Sequence, residues 1–188
     1  LGFASAHLMG HSYGGGISLW IAWKHPERVR SLVLVDSSAP TYANDRRSRA
    51  ASFRPLASLY LRTWALRSSM VRKALLHSFY DDSLVTPELV QAYLERVRIE
   101  GTVNAFYGLT VPIRGPVDRV VLEEIRAPAF IVWGAQDELI SVESGRRAAE
   151  RMPHAEFAAI ERCGHIPMEE RPEELLRLVL PFLKRQAG

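Results

Sequence analysis

Short apolar runs alternate with longer, partly apolar segments toward both ends of this chain. The runs hold aliphatic and β-branched residues with little polar alternation, which is typical of strands covered on both faces of a parallel sheet. They occupy residues 3–9, 31–36, 129–134 and 155–160. Segments with helical character lie at residues 13–23, 141–152 and 173–184. This alternation of strand and helix predicts an α/β fold built on a parallel sheet.

The middle of the chain, residues 42–116, interrupts the alternation with helical patterns only. Thr86 is the predicted N-cap of one such helix, and Pro87 suits its first position. The apolar face of this helix consists of Leu89, Val90, Tyr93, Leu94 and Val97. We therefore predict a core formed by residues 1–41 and 117–188, with residues 42–116 as a helical insertion between two strands of one sheet.

Composition and charge narrow the classes of partner. A chain of 188 residues, 47% of them hydrophobic, suits one domain with an insertion. Its formal charge of +3 is too small to indicate a nucleic-acid partner. The single cysteine, Cys163, excludes an internal disulfide and leaves no cysteine cluster for zinc, which favours a reducing compartment. We expect neither a cofactor nor a metal. No apolar run reaches the length of a bilayer span, and a cytoplasmic location is expected.

A glycine-rich turn follows the first apolar run, in L-M-G-H-S-Y-G-G at residues 8–15. G-H-S-Y-G fits the pattern G-x-S-x-G, in which a serine sits on a strained turn between a strand and a helix. The flanking glycines, Gly10 and Gly14, allow the backbones to approach closely. The pattern predicts that Ser12 is a nucleophile. The backbone N–H of Tyr13 then lies at a helix N-terminus, where it favours a developing oxyanion.

A serine hydroxyl needs a base within hydrogen-bond reach, and the base needs an acid that orients it. Asp137, in G-A-Q-D, and His165, in C-G-H-I-P, each follow a predicted strand, so both are expected at the carboxyl edge of the sheet with Ser12. Asp36 also ends a strand and is an alternative acid. The remaining histidines lack this position in a loop after a strand and are not expected to be catalytic. They are His7, His11, His25, His77 and His154.

These motifs together resemble the α/β-hydrolase superfamily, the broad group of esterases, monoacylglycerol lipases, haloperoxidases, epoxide hydrolases and C–C bond hydrolases. The matching stretches are G-H-S-Y-G-G around Ser12, the strand L-V-L-V-D, G-A-Q-D ending at Asp137, and G-H-I-P-M-E-E-R-P, which contains His165 and Glu170. The resemblance implies that the serine, aspartate and histidine form a catalytic triad. It also implies that residues 42–116 are a helical cap over the active site.

The resemblance implies a serine hydrolase that works through an acyl-enzyme. A carboxylic ester is the expected substrate, because an alcohol leaving group needs less help than an amide. A serine nucleophile also argues against the halide and epoxide branches, which use an aspartate in its place. Two alternatives stay open: hydrolysis of a C–C bond in a ring-cleavage product, and a non-catalytic ligand-binding or sensor protein of the same fold.

In related proteins further strands precede the nucleophile turn, together with a loop that supplies a second oxyanion N–H. The chain thus resembles the C-terminal half of an α/β-hydrolase parallel sheet, with flanking helices and an inserted helical cap, and the N-terminal strands missing. We expect residues 1–188 on their own to be an inactive fragment that is poorly soluble or oligomeric.

Basic residues are concentrated in the first part of the predicted cap. Residues 44–73 contain seven arginines and Lys73 against one acid, Asp45. The arginines are Arg46, Arg47, Arg49, Arg54, Arg62, Arg67 and Arg72. One interpretation is a solvated cap surface. The other is peripheral docking on anionic lipid, which would bring the enzyme to an acyl substrate.

Overall fold

The computed structural model describes residues 2–38, 67–102, 105 and 119–187. Its strands are β1 (Ala6–His11), β2 (Val29–Val35), β3 (Ala129–Gly134) and β4 (Ala155–Ile160). Its helices are α1 (Tyr13–Lys24), α2 (Ser68–Ser78), α3 (Pro87–Val97), α4 (Val142–Arg151), α5 (Pro167–Glu170) and α6 (Pro172–Arg185). None of these described helices has both the length and the hydropathy needed to cross a membrane.

The described strands form one parallel sheet in the order β1-β2-β3-β4. In its centre, Leu32 of β2 lies opposite Leu8 of β1 on one side and opposite Ala129 of β3 on the other. β2 and β3 are buried almost throughout, whereas β1 and β4 are partly exposed and have a described neighbour on one side only. The predicted α/β class with a parallel sheet is confirmed.

Alternate side chains of the central strands enter two separate cores. The core on one face joins α1 and α4 to Leu32, Leu34, Ile131 and Trp133. The core on the other face joins α6 to Val33, Val35, Phe130 and Val132. Helices therefore cover both faces of the sheet, which explains why these strands carry apolar residues at successive positions rather than at every second one.

β1 begins and ends later than the sequence predicts. It runs over Ala6–His11 rather than residues 3–9, because Gly10 still pairs with Leu34 of β2. The glycine thus belongs to the strand, and the chain turns at Ser12. A glycine next to an apolar run marks a close approach here rather than the end of the strand.

The other predicted strands, and the helices along residues 13–23, 141–152 and 173–184, agree with the structure to within two residues at each end. β2 ends at Val35 because Asp36 has a φ of 42°, which takes the backbone out of the extended region. Asp36 therefore lies just beyond the strand, at the carboxyl edge of the sheet.

α2 and α3 belong to the predicted insertion, residues 42–116, both ends of which lie outside the described residues. Thr86 caps α3 as predicted, and its side chain accepts a hydrogen bond of 3.2 Å from the Leu89 N–H. The buried side chains of this region form a third core with Ile166. They are Val71, Leu75, Phe79, Val85, Val90 and Leu94. The described part of the insertion thus packs on the loop after β4, and the limits of the insertion stay a prediction.

Candidate active site

Ser12 occupies the turn between β1 and α1 with φ 50° and ψ −121°, a conformation that is rare for a residue with a side chain. The neighbouring backbone holds this turn. The Ser12 N–H donates to the Val35 carbonyl over 3.0 Å, and the Ser12 carbonyl accepts from the Ser38 N–H over 2.9 Å. Tyr13 is the first residue of α1, so its N–H has no acceptor within the helix.

At two glycines of the turn, neighbouring atoms leave no room for a Cβ atom. A Cβ at Gly10 would lie 2.5 Å from the Gly14 carbonyl oxygen and 2.6 Å from the Ser18 Oγ. A Cβ at Gly15 would overlap with the Ser37 side chain. By contrast, a Cβ at Gly14 would meet no described atom within 4 Å. The prediction of close backbone approach is therefore right at Gly10 and wrong at Gly14, and the second crowded position is Gly15.

His165 connects Ser12 with Asp137 through both nitrogens of its imidazole ring. Its Nε2 lies 3.0 Å from the Ser12 Oγ, and its Nδ1 lies 2.7 Å from the Asp137 Oδ2. The Asp137 Oδ1 accepts hydrogen bonds from the N–H groups of Leu139 and Ile140, over 2.8 and 3.0 Å. Since a carboxylate only accepts, Nδ1 carries the ring proton and Nε2 accepts from the serine hydroxyl. The side chains of His165 and Asp137 are only 8% and 0% exposed, so water competes little for these bonds.

Glu170, from the stretch G-H-I-P-M-E-E-R-P, fixes the loop that carries His165. Its Oε2 accepts from the Gly164 N–H over 2.6 Å, and its Oε1 accepts from the N–H groups of Tyr80 and Asp81 over 2.9 and 2.8 Å. The His165 N–H donates to the last carbonyl of α2 over 2.7 Å. The buried carboxylate therefore ties the histidine loop to the segment that follows α2.

His11 lies against His165, a contact that the sequence analysis missed. Its Nε2 is 2.7 Å from the His165 carbonyl oxygen, and the two ring centroids are 4.9 Å apart. Because a carbonyl only accepts, Nε2 of His11 carries a proton. Burial lowers the pKa of His11, which favours its neutral form. The available signal was its position directly before Ser12, since a residue next to a nucleophile turn lies close to the site.

Asp36, the alternative acid, lies beside Asp137, but the hydrogen bond from His165 goes to Asp137. The Asp36 side chain is fully buried, and its Oδ1 accepts from the Gly134 N–H over 2.9 Å. One side-chain atom each of Asp36, Asp137 and His165 lies within 4.8 Å of the others. Such a trio is able to bind a metal ion, but both ring nitrogens of His165 are engaged, with Ser12 and Asp137. That engagement favours a proton-transfer chain over a metal centre.

Comparisons with known proteins concern the sequence and the fold as a whole. A sequence model of the alpha/beta hydrolase fold matches residues 1–172. The chain is 35% identical to the 2-hydroxy-6-oxononadienedioate/2-hydroxy-6-oxononatrienedioate hydrolase of Burkholderia vietnamiensis, over 98% of this chain and 64% of the relative.

Two solved structures are similar to the chain. One is a membrane phospholipase A, a bacterial virulence factor, with a TM-score of 0.76 and 29% identity over 100% of this chain and 59% of that protein. The other is a variant of the meta-cleavage product hydrolase CumD from Pseudomonas fluorescens, with a TM-score of 0.80 and 23% identity over 97% of this chain and 65% of that protein. At that identity, the second likeness supports the fold alone. The chain spans less than two thirds of each of these three proteins.

Proposed function

Because this chain belongs to the alpha/beta hydrolase fold family, we propose that the protein is a serine hydrolase in which Ser12 is the nucleophile, His165 is the general base and Asp137 orients the imidazole. The observation that carries this proposal is the unbroken pair of hydrogen bonds, of 3.0 and 2.7 Å, that runs from the serine oxygen through the imidazole to the carboxylate. A serine hydroxyl is a weak nucleophile, and a base held by a third group is the arrangement that activates it.

In the first step, the Ser12 Oγ attacks the carbonyl carbon of the substrate while its proton passes to the His165 Nε2. The imidazolium keeps its Nδ1 proton and is stabilised by the Asp137 carboxylate. The Tyr13 N–H, at the N-terminus of α1, donates to the oxyanion. His165 then protonates the leaving group. In the second step the same base activates water, which releases the acyl group and restores the serine.

The proposed substrate class is a ring-cleavage product of the 2-hydroxy-6-oxodienoate type, in which a C–C bond beside a ketone is broken. The 35% identity to the Burkholderia vietnamiensis hydrolase supports this choice over the carboxylic ester that the sequence motifs favoured. The attack on the ketone carbon is the same. Before the C–C bond breaks, the proton of the 2-hydroxyl group moves to the carbon beside the ketone, which gives the 2-oxo tautomer. The breaking bond then leaves its electron pair on that carbon, in conjugation with the 2-oxo group, and His165 protonates the resulting dienolate. Water then releases the other fragment as a carboxylic acid.

Parallel assays of the complete protein test both levels of this proposal. A 2-hydroxy-6-oxodienoate and p-nitrophenyl butyrate serve as the two substrates, and Ser12→Ala serves as the control. We expect kcat/KM for the dienoate to be higher by about tenfold or more, and loss of both activities in the control variant. A preference of that size for the ester would overturn the substrate class and leave the serine hydrolase standing. Fluorophosphonate labelling with turnover of neither substrate would favour the ligand-binding alternative.

A second candidate, hydrolysis of a lipid ester, is favoured by the 29% identity and TM-score of 0.76 to the membrane phospholipase A. The basic residues along 44–73 offer such an enzyme an attraction to anionic lipid. Of these, Arg67, Arg72 and Lys73 are described and exposed, and the others lie outside the described residues. Co-sedimentation with anionic vesicles that weakens with salt would support this candidate. Equal binding to neutral vesicles would argue against it.

A further inference from the structure

Asp36 lies inside the candidate active site without a part in the proposed mechanism. Its side chain is 0% exposed. Its Oδ2 is buried and has no hydrogen-bond donor within the described part of the chain. One carboxylate oxygen of Asp36 lies within 4.8 Å of one side-chain atom each of Asp137 and His165. A buried acceptor without a donor, next to a second carboxylate, is unfavourable unless one of the two carboxyl groups carries a proton.

The surroundings of the two carboxyl groups decide which one carries that proton. Asp137 accepts hydrogen bonds from two backbone N–H groups on Oδ1 and from His165 on Oδ2, so both of its oxygens already have donors. Asp36 accepts a single backbone N–H, that of Gly134, among the described residues. Burial raises the pKa of Asp36 to about 9, against the effect of the Gly134 N–H and with the support of the Asp137 and Glu170 carboxylates. The neutral form therefore belongs to Asp36.

We propose that Asp36 is a neutral carboxylic acid that donates a hydrogen bond from its Oδ2 to the Asp137 carboxylate, and that it is thereby a positioning residue for Asp137 and His165. With this proton, the Asp36 Oδ2 becomes a hydrogen-bond donor. The negative charge of the pair stays on Asp137, the carboxylate that binds the imidazole. The effect on turnover rests on the proposed serine hydrolase, whereas the protonation of Asp36 does not.

The donor also sets how strongly Asp137 attracts the proton of His165. A hydrogen bond from Asp36 withdraws charge from the Asp137 carboxylate, which weakens its attraction for the imidazolium that forms when Ser12 reacts. The titratable groups that face Asp36 in the described part of the chain are Asp137, His165, Glu170 and Cys163. Burial raises the pKa of the Cys163 thiol, so this neighbour stays neutral at pH 7.

Infrared difference spectroscopy of the complete protein tests the proton directly. We expect the carbonyl stretch of a neutral carboxylic acid to be present at pH 7 in the wild type and absent in Asp36→Asn. The asparagine keeps an acceptor for the Gly134 N–H and a donor toward Asp137, so it is the variant closest to the proposed state. Absence of that band from the wild type at pH 7, or its persistence in Asp36→Asn, would overturn the proposal. Neither result depends on which substrate the enzyme uses.

The pH profile of fluorophosphonate labelling at Ser12 tests the positioning role. With a neutral Asp36, we expect Asp36→Asn to move the midpoint of the acidic limb by less than about half a pH unit. Asp36→Leu removes the donor, and we expect its midpoint to rise by about one unit, with labelling near the midpoint slowed severalfold. A charged Asp36 predicts the opposite for Asp36→Asn, a fall of about one unit or more, because a negative charge near the imidazole is lost.

These readouts keep the two proposals apart. If Ser12 takes up no label in the wild type, the serine hydrolase fails while the infrared band still decides the state of Asp36. If Ser12 is labelled and Asp36→Asn lowers the midpoint, the serine hydrolase stands and the neutral Asp36 is wrong. Should Asp36→Leu fail to fold, the infrared band and the midpoint of Asp36→Asn are sufficient to decide.

Discussion

The turn that carries Ser12 is held by contacts within residues 10–38, whereas the loops that carry Asp137 and His165 join segments far apart in the chain. We call these the nucleophile half and the acid–base half of the site. Glu170 illustrates the second, since it bonds the N–H of Tyr80, which lies 90 positions before it in the sequence. The nucleophile half is thus encoded locally. The acid–base half depends on the segment after α2, inside the predicted insertion.

The two halves also differ in burial. β1, which leads to Ser12, is partly exposed, and Met9 on it is 53% exposed. β3, which leads to Asp137, is buried along its whole length. In the described part of the chain, the segment that follows α2 hydrogen-bonds to the loop of His165, whereas the backbone hydrogen bonds of Ser12 go to residues 15–38. This separation makes the comparison testable.

The largest expected effect comes from the nucleophile half. Ser12→Ala removes the attacking oxygen and leaves the backbone of the turn unchanged, so we expect kcat to fall by about 10³ to 10⁶ while the fold is kept. Steady-state assays and circular dichroism of the complete protein check both parts. Retention of more than about a tenth of the activity would exclude Ser12 as the nucleophile.

Asp137→Asn tests the contribution of the Asp137 negative charge to the acid–base half. An asparagine no longer stabilises the imidazolium and favours the wrong ring tautomer, so we expect a loss of about 10³ to 10⁴ in kcat. Asp36→Asn, which keeps a donor toward Asp137, is the matched control, and its loss should be at least about tenfold smaller. If kcat fell further in Asp36→Asn than in Asp137→Asn, the acid of the triad would be Asp36.

Glu170→Gln tests the long-range contacts of the acid–base half. It replaces a charged acceptor of three backbone N–H groups by a neutral one, so we expect the free energy of unfolding to fall by about 2 to 3 kcal/mol. We also expect labelling of Ser12 to slow, because the histidine loop loses its anchor. Glu169→Gln is the control: Glu169 is exposed and bonds the Tyr93 hydroxyl, and its change should cost less than about 0.5 kcal/mol. Equal losses in chemical denaturation would contradict the anchoring role.

Gly10→Ala tests the local packing of the nucleophile half. The added methyl group meets the Gly14 carbonyl and the Ser18 hydroxyl, so we expect a loss of about 1 to 3 kcal/mol. Gly14→Ala adds the same group to α1, where it meets no described atom within 4 Å and alanine favours the helix by up to about 1 kcal/mol. Thermal unfolding of the two variants measures the difference. If both alanines destabilised the protein equally, the crowding at Gly10 would not be specific.

The division into a nucleophile half and an acid–base half also explains which site residues the sequence alone predicts. The sequence predicts Ser12 as the nucleophile because strand, glycines and helix follow one another within a few residues. Asp137 and Asp36 were harder to separate, since both follow a strand. What distinguishes them is which carboxylate meets Nδ1 of His165, and that depends on loop geometry. The contacts of Glu170 with the segment after α2 had no local signal, because they join distant parts of the chain.

The fold was predicted more completely than its details. Unbroken apolar runs predict the parallel sheet, because strands that are buried on both faces carry apolar residues at successive positions. The bounds of β1 were missed because Gly10 marks a close approach, and spacing alone does not distinguish that from a turn. His11 was passed over because its contact is with a residue far along the chain, the His165 carbonyl.

Mass spectrometric mapping of a fluorophosphonate adduct tests the central claim most directly. The complete protein is treated with the probe, digested and compared with Ser12→Ala and His165→Asn. The account predicts one adduct, on Ser12, which is absent in the first variant and forms about a hundredfold or more slowly in the second, because the serine has lost its base. An adduct on another residue, or a rate of labelling at Ser12 that does not depend on His165, would contradict it.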